Sequence, residues 1–347
     1  MRRGLISWSL DEMPKSVLLQ RLGALQAAMK EHHWQACLAY TSIAQPSAVN
    51  WLTHFTPYWS EALLVVLPSG PPVLLASLTK RVHTWIHEVS WMGEILMAPK
   101  LGENALQYLT THLPAGSSVG VIGLESLPGS VSKSLVKPHA PLTWVDASAV
   151  FAKLRVQSDE IEIALVKKAE RLAQEAFSSL SGVYTDSSTL ASELELHARL
   201  GGAEEVIIRI APDLSKDASF VRLEGELKLA KMYSVELSLA YKGVWIRLIE
   251  NFADEVTTQD WQRLKAWWQQ VVEDFDFTQA SHVTPLEGQQ LEFVRFERCQ
   301  GTHPLEVVDL KQACTQSSTA WGVLSAELRS GLVHWPACQT VYASSSR

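Results

Sequence analysis

The sequence predicts two folds in series, an α/β domain over residues 1–150 followed by an α+β domain over residues 151–347. Three observations carry this. In the first half, helical and strand-like segments alternate. In the second half, two long helical patterns come first and the strands follow, the order of an α+β layer rather than a doubly wound sheet. Finally, 347 residues exceed the usual size of one domain.

The elements of the first half follow in order. Val17, Leu18, Arg21, Leu22, Leu25 and Met29 recur at helical spacing within 15–33 and predict an amphipathic helix. "ACLAY" (36–40) is short and apolar enough for a buried strand, and "EALLVVLPSGPPVLLAS" reads as two apolar strands around a Pro/Gly turn. Helices are expected near 79–88 and 102–113, then strands at "SVGVIG" and "LTWVDAS", with the domain ending near residue 150.

The second half opens on "FAKLRVQSDEIEIALVKKAERLAQEAFSSL", where Ser158 is the expected N-cap. Ile161, Leu165, Ala169, Leu172, Ala176 and Leu180 form one face of a long helix. A second helix, "SSTLASELELHARLGG", is closed by Gly201 and Gly202. Strands are expected at "EEVIIRIA", "YSVELSLA" and "GVWIRLIENF", a Trp-rich helix at 259–275, and strand-like pieces at 291–296 and 323–328.

Composition excludes several function classes. Hydrophobic residues make up 47% and charged residues 19%, the balance of a globular chain. A formal charge of −7 and a pI near 5.9 offer no attraction to nucleic acid or an anionic membrane surface. The longest apolar run, "ALLVVLP" at 62–68, is too short to cross a hydrocarbon core of about 30 Å. "MRRGLISWSLDEMP" lacks the apolar length of a secretory signal. Cys37, Cys299, Cys314 and Cys338 are scattered without a CxxC pair, as in a reducing cytoplasm. Thirteen tryptophans are expected to serve core packing.

Other constellations carry little chemistry. His83 and His87 in "HTWIH" share a helical face, yet Thr84 stands where a zincin pattern needs its glutamate. His32 and His33 suit a helix C-terminus. Cys299 lacks a base, "SVGVIG" lacks a dinucleotide glycine pattern, and Glu224 and Glu226 belong to a solvated loop.

The hairpin "VELSLAYKGVWIR" (235–247) is more informative. A tight turn at Tyr241–Lys242 would place Glu236 directly opposite Arg247, with Cβ atoms about 4.5–5.5 Å apart. Two carboxylates facing each other there would repel unless cations lay between them. An arginine instead pairs with the carboxylate and puts a fixed positive charge in that space.

Two stretches, "AYTSIAQPSAVNWLTHFTPYWSEALLVVLPSGPPVLL" and "LRVQSDEIEIALVKKA", resemble the N-terminal domain and the linker with first C-terminal helix of the creatinase, prolidase and aminopeptidase P family. The order of segments matches over nearly the whole chain. The resemblance implies a pita-bread α+β fold for the C-terminal domain. In active members it implies two divalent metals held by Asp, Asp, His, Glu and Glu, hydrolysing a peptide bond next to proline. Matched residue by residue, Glu236 stands at the first Asp, Gly243 at the intervening glycine and Arg247 at the second Asp. His303 in "CQGTHPLE" is the nearest match to the His ligand, and Glu327 in "VLSAEL" matches the first glutamate. The last glutamate falls near Trp335–Pro336, where no carboxylate exists. "DLSKDASFVRLEGE" lacks the histidine that normally precedes the hairpin.

Glu236, Arg247, His303 and Glu327 are therefore expected to line a degenerate cleft holding no metal and no cofactor. The first expectation is a binding or regulatory relative of the Xaa-Pro peptidases, cytoplasmic as the scattered cysteines suggest and homodimeric as related proteins commonly are. It would take a peptide or small molecule in the C-terminal cleft, and neither nucleic acid nor membrane is an expected partner. Two alternatives stay open. One is a metal-independent, creatinase-like hydrolase using Glu236, Glu327 and His303 as acid and base groups and Arg247 to hold a carboxylate. The other is a chain that retains Xaa-Pro peptidase activity.

Overall fold

The computed structural model describes residues 8–43, 47–57, 59–136, 141–156, 158–180, 182, 184–223, 225–253, 259–276, 283–299, 307–309, 321–330 and 333–342. The chain divides into two compact units, one within Leu5–Val156 and one within Gln157–Gln300 and Pro304–Arg347.

The first unit is built on a six-stranded mixed sheet. Its strands are β1 (Ala36–Thr41), β2 (Ala62–Val66), β3 (Val73–Ala76), β4 (Glu94–Met97), β5 (Ser117–Ile122) and β6 (Leu142–Asp146), in the order β4-β3-β2-β1-β5-β6. The Pro/Gly turn closes the expected antiparallel β2–β3 hairpin, with Val65 opposite Val73 and Gly70 at φ 86°. β1, β5 and β6 run parallel. Leu63, Leu64 and Val65 are all buried, which explains why β2 reads as a continuous apolar run rather than an alternating one. The helices are α1 (Lys15–Glu31), α2 (Ser47–Thr53), α3 (His83–Val89), α4 (Leu101–His112), α5 (Gly129–Leu135) and α6 (Ser148–Val156). α1 buries Leu18, Leu22, Leu25 and Met29, the stripe that predicts it. On α3, burial and then the neighbouring His87 hold the His83 imidazole below its ordinary range.

The second unit begins with α7 (Glu160–Ser178) and α8 (Ser187–Leu200). Asp159, not Ser158, caps α7: its carboxylate accepts the Glu162 N–H at 2.8 Å, while Ser158 is buried. A carboxylate is the stronger acceptor and also complements the positive end of the helix dipole. Leu165, Ala169, Leu172 and Ala176 form the buried stripe of α7. α8 ends as expected, with Gly201 as its cap and Gly202 at φ 103°.

Two four-stranded antiparallel sheets follow. One contains β7 (Glu205–Ala211), β8 (Val221–Arg222), β9 (Met232–Tyr241) and β10 (Val244–Ala253) in the order β10-β9-β7-β8. The other contains β11 (Gln290–Cys299), β12 (Val307–Asp309), β13 (Trp321–Ser330) and β14 (Val333–Tyr342) in the order β12-β11-β13-β14. α7 packs along β9 and β10, and β10 meets β14. The Trp-rich helix α9 (Gln259–Glu273) covers the second sheet, where Trp261, Leu264 and Trp268 share a core with Phe296, Leu328 and Trp335. The rings of Trp261 and Trp335 meet edge to face at 4.4 Å. Eight tryptophans are buried, in line with a packing role, while Trp59 is exposed and stacks on Trp85.

No helix among the described residues is long and apolar enough to cross a membrane.

Candidate functional site

The site grows from the β9–β10 hairpin, whose turn sits one residue later than the sequence reading places it. Lys242 and Gly243 form the two-residue loop at φ 48° and φ 82°, and Tyr241 pairs with Val244. Both loop positions need positive φ in the turn that matches strand twist, and glycine meets that need at the second position. Glu236 therefore lies opposite Ile249, and Arg247 opposite Ser238. The expectation that Glu236 faces Arg247 directly is thus corrected. The shift moves the pairing by a whole pleat repeat, so both side chains stay on one face as diagonal neighbours. Arg247 Nε lies 3.7 Å from Glu236 Oε1.

The guanidinium directly opposite Glu236 belongs to Arg209, on the other neighbouring strand, β7. It grips Glu236 in a two-point fork, Nε donating to Oε1 and Nη2 to Oε2, each at 2.7 Å. Arg247 turns its Nη1 to Glu297 on β11, donating to Oε1 at 2.9 Å. The result is an alternating circuit of Arg209, Glu236, Arg247 and Glu297 that spans both sheets. Glu236, Arg247 and Glu297 are buried, and the Arg209 side chain is 34% exposed.

These residues line a cavity of about 230 Å³, with Phe293 and Glu327 on its far wall. Glu327 lies opposite Pro336 in the β13–β14 register and bonds to His334 Nδ1 at 2.9 Å. Trp335 points away into the core, so the strand position beside Glu327 carries no carboxylate. Two further contacts fix β10 against β14. Asn251 Nδ2 donates to the Pro336 carbonyl at 2.8 Å, and the Cys338 thiol donates to the Arg247 carbonyl at 3.6 Å.

Glu236, Arg247 and Glu327 are thus brought to one cavity, while His303 lies outside the described residues. Arg209, Glu297 and His334 are the participants that sequence reasoning missed. "VIIRIA" shows Arg209 as a polar residue in an apolar strand, and "FVRFER" alternates Phe293, Arg295 and Glu297 on one face. Both signals were legible, but the partner strands were not.

A dinuclear metal centre needs carboxylates free to coordinate, in a space without fixed positive charge. Here Glu236 is engaged by one guanidinium and approached by a second, Glu297 is held by the second, and Glu327 is bonded to an imidazole. Each of these three carboxylates is thus already engaged by a cationic or imidazole group. Among the described residues, no group of three or more His, Cys, Asp or Glu side chains is placed to hold a metal.

Beyond the cleft, Glu204, the residue before β7, is a perturbed acid held against the hairpin turn. Burial, reinforced by the adjacent Glu205, pushes the Glu204 carboxyl up to about 7; the Gly243 and Lys242 N–H groups and the Lys242 charge oppose this. Gly243 N donates to Glu204 Oε2 at 3.2 Å. A raised folded-state value means that the neutral acid is favoured in the fold. Its stabilisation is full below the unfolded carboxyl range near pH 4 and is lost as pH rises through about 7. Denaturant midpoints measured from pH 4 to pH 8 should show about 1–3 kcal/mol of this loss, and Glu204→Gln should flatten it.

Comparison with known proteins agrees with the architecture. Residues 21–157 match the family model of the creatinase/prolidase N-terminal domain. No curated protein sequence matches the chain. Among solved structures, the chain is similar to a prolidase from Thermococcus sibiricus, with a TM-score of 0.71 and 12% identity over 95% of both chains. It is also similar to a variant of Escherichia coli aminopeptidase P, with a TM-score of 0.70 and 13% identity over 96% of this chain and 93% of that one. For X-Pro aminopeptidase from Thermotoga maritima the TM-score is 0.66, with 12% identity over 92% and 94%. Residues 21–157 therefore match a creatinase/prolidase N-terminal domain, and the chain shares the two-part fold of these prolidase and aminopeptidase structures, with the pita-bread part in the second unit.

Proposed function

We propose that the second unit is a ligand-binding module, a relative of the Xaa-Pro peptidases in which the cleft takes a peptide or small molecule without a dinuclear metal centre. The observation that carries this reading is the Arg209–Glu236–Arg247–Glu297 circuit. Its cations stand among the carboxylates that a metal pair would need. The circuit makes the cleft polar but internally compensated, suited to holding a ligand by hydrogen bonds and shape. The resemblance further supports a homodimer, and the scattered cysteines support a reducing cytoplasm.

A second reading rests on Glu327, which lines the cavity and is bonded to His334, an acid–base couple. On this reading the protein is a metal-independent hydrolase of a C–N bond in a small molecule.

The test is metal analysis of the purified protein, combined with assays on Xaa-Pro dipeptides and creatine-like compounds in the presence of manganese, cobalt or zinc. Substoichiometric metal and no turnover are expected. A tightly held pair of ions with dipeptide hydrolysis would overturn the proposal. Turnover of creatine-like compounds in the presence of chelator would establish the second reading in its place.

A further inference from the structure

Strand β10 presents alternate residues to two different cavities. Arg247 and Ile249 face the charged cleft, whereas Leu248, Glu250 and Phe252 line a second cavity of about 560 Å³ bounded by α7 and β14. Its other walls include Gln174 and Phe177 of α7 and Gln339 of β14.

Two carboxylates near this cavity are held differently. Glu170 of α7 accepts the Tyr342 hydroxyl at 2.7 Å and a further bond from the Gln339 amide, with Lys167 nearby. The Glu250 backbone pairs with Val235, but its side chain has no hydrogen bond or ion pair among the described residues. Burial raises its carboxyl above the ordinary range, and the charge that opposes the shift is Lys265, an exposed residue of α9. A half-buried carboxylate without a bonded partner keeps acceptor capacity that a ligand in the cavity can take up.

The surroundings identify the ligand's chemistry. An anion would be repelled by Glu250, and a purely apolar ligand would strip its remaining water. A hard divalent cation needs six or so oxygen ligands, many more than one carboxylate supplies. An organic monocation fits both parts of the cavity. Its N–H donors meet the carboxylate and the glutamine side-chain oxygens, and its carbon chain lies on Leu248, Phe177 and Phe252.

We propose that this cavity is a second binding site, separate from the charged cleft, and that it takes an alkylammonium group with its head on Glu250. The source is either a free aliphatic amine or a lysine side chain presented by another protein.

Titration calorimetry of the full chain with n-butylammonium chloride and with N-acetyl-lysine methylamide tests this. Saturable one-to-one binding is expected for at least one probe, with butyrate inert. Glu250→Gln keeps the side-chain shape and should weaken binding at least tenfold, while Glu226→Gln, at an exposed loop position, should leave it unchanged. Binding of n-butylammonium alone assigns the site to free amines, and binding of the lysine amide assigns it to a protein side chain. A rise or no change in the thermal midpoint of Glu250→Gln verifies that the variant folds. Without recourse to any variant, saturating amine should slow amide exchange along β10. Absence of saturable binding by both probes, undiminished binding by Glu250→Gln, or unaltered exchange overturns the proposal.

Discussion

Arg247→Ala is expected to destabilise the second unit by about 3–5 kcal/mol, because removing one member of a buried ion pair leaves its partner charged and without compensation. Arg247 is 10% exposed and Glu297 8% exposed at the side chain, so water does little to screen the loss. Glu236 keeps its fork with Arg209, which places most of the effect on Glu297. Denaturant unfolding monitored by tryptophan fluorescence measures the change. The double variant Arg247→Met with Glu297→Leu should recover most of it, since an apolar pair of similar volume no longer asks for charge compensation. An unchanged midpoint in Arg247→Ala would show that the circuit is solvated. Failure of the double variant to recover would place the loss in packing and not in charge.

Trp335→Ala is expected to cost a similar amount, about 3–5 kcal/mol, through the cavity left by a large buried ring. Trp335 is 3% exposed and meets Trp261 of α9 edge to face, so its removal also loosens the helix that covers the second sheet. The neighbouring Pro336 and Ala337 line the charged cleft, so ligand affinity should fall along with stability. Trp335→Phe, which keeps a ring against Trp261, should recover much of both. A stability loss with unaltered cleft binding would show that the cleft wall does not depend on this core.

The sequence revealed the elements because their signals are local. The α7 stripe, the Gly202 stop and the Pro/Gly turn between β2 and β3 each depend on residues a few positions apart. The cleft was legible only in part. Glu236 and Arg247 were placed on one face of one hairpin, but their pairing turned on which two residues adopt positive φ. Gly243 settles that at the second loop position and shifts the partners by one residue on each strand. The partners that close the circuit arrive from β7 and β11, and nothing local states which strand adds to which edge. Ser158 was an easily read cap, yet the carboxylate beside it competes better for the first free N–H groups of α7.

The ribbon's two-residue turn also bears on the order of folding. Two strands of ten residues joined by two residues close at small entropic cost, whereas Arg209 and Glu297 must be gathered from 27 and 50 residues away. The ribbon is therefore expected to form early and to bring Glu236 and Arg247 together in open solvent, where water still screens both. On that order their desolvation is deferred until the outer partners dock, and the ionic circuit closes late.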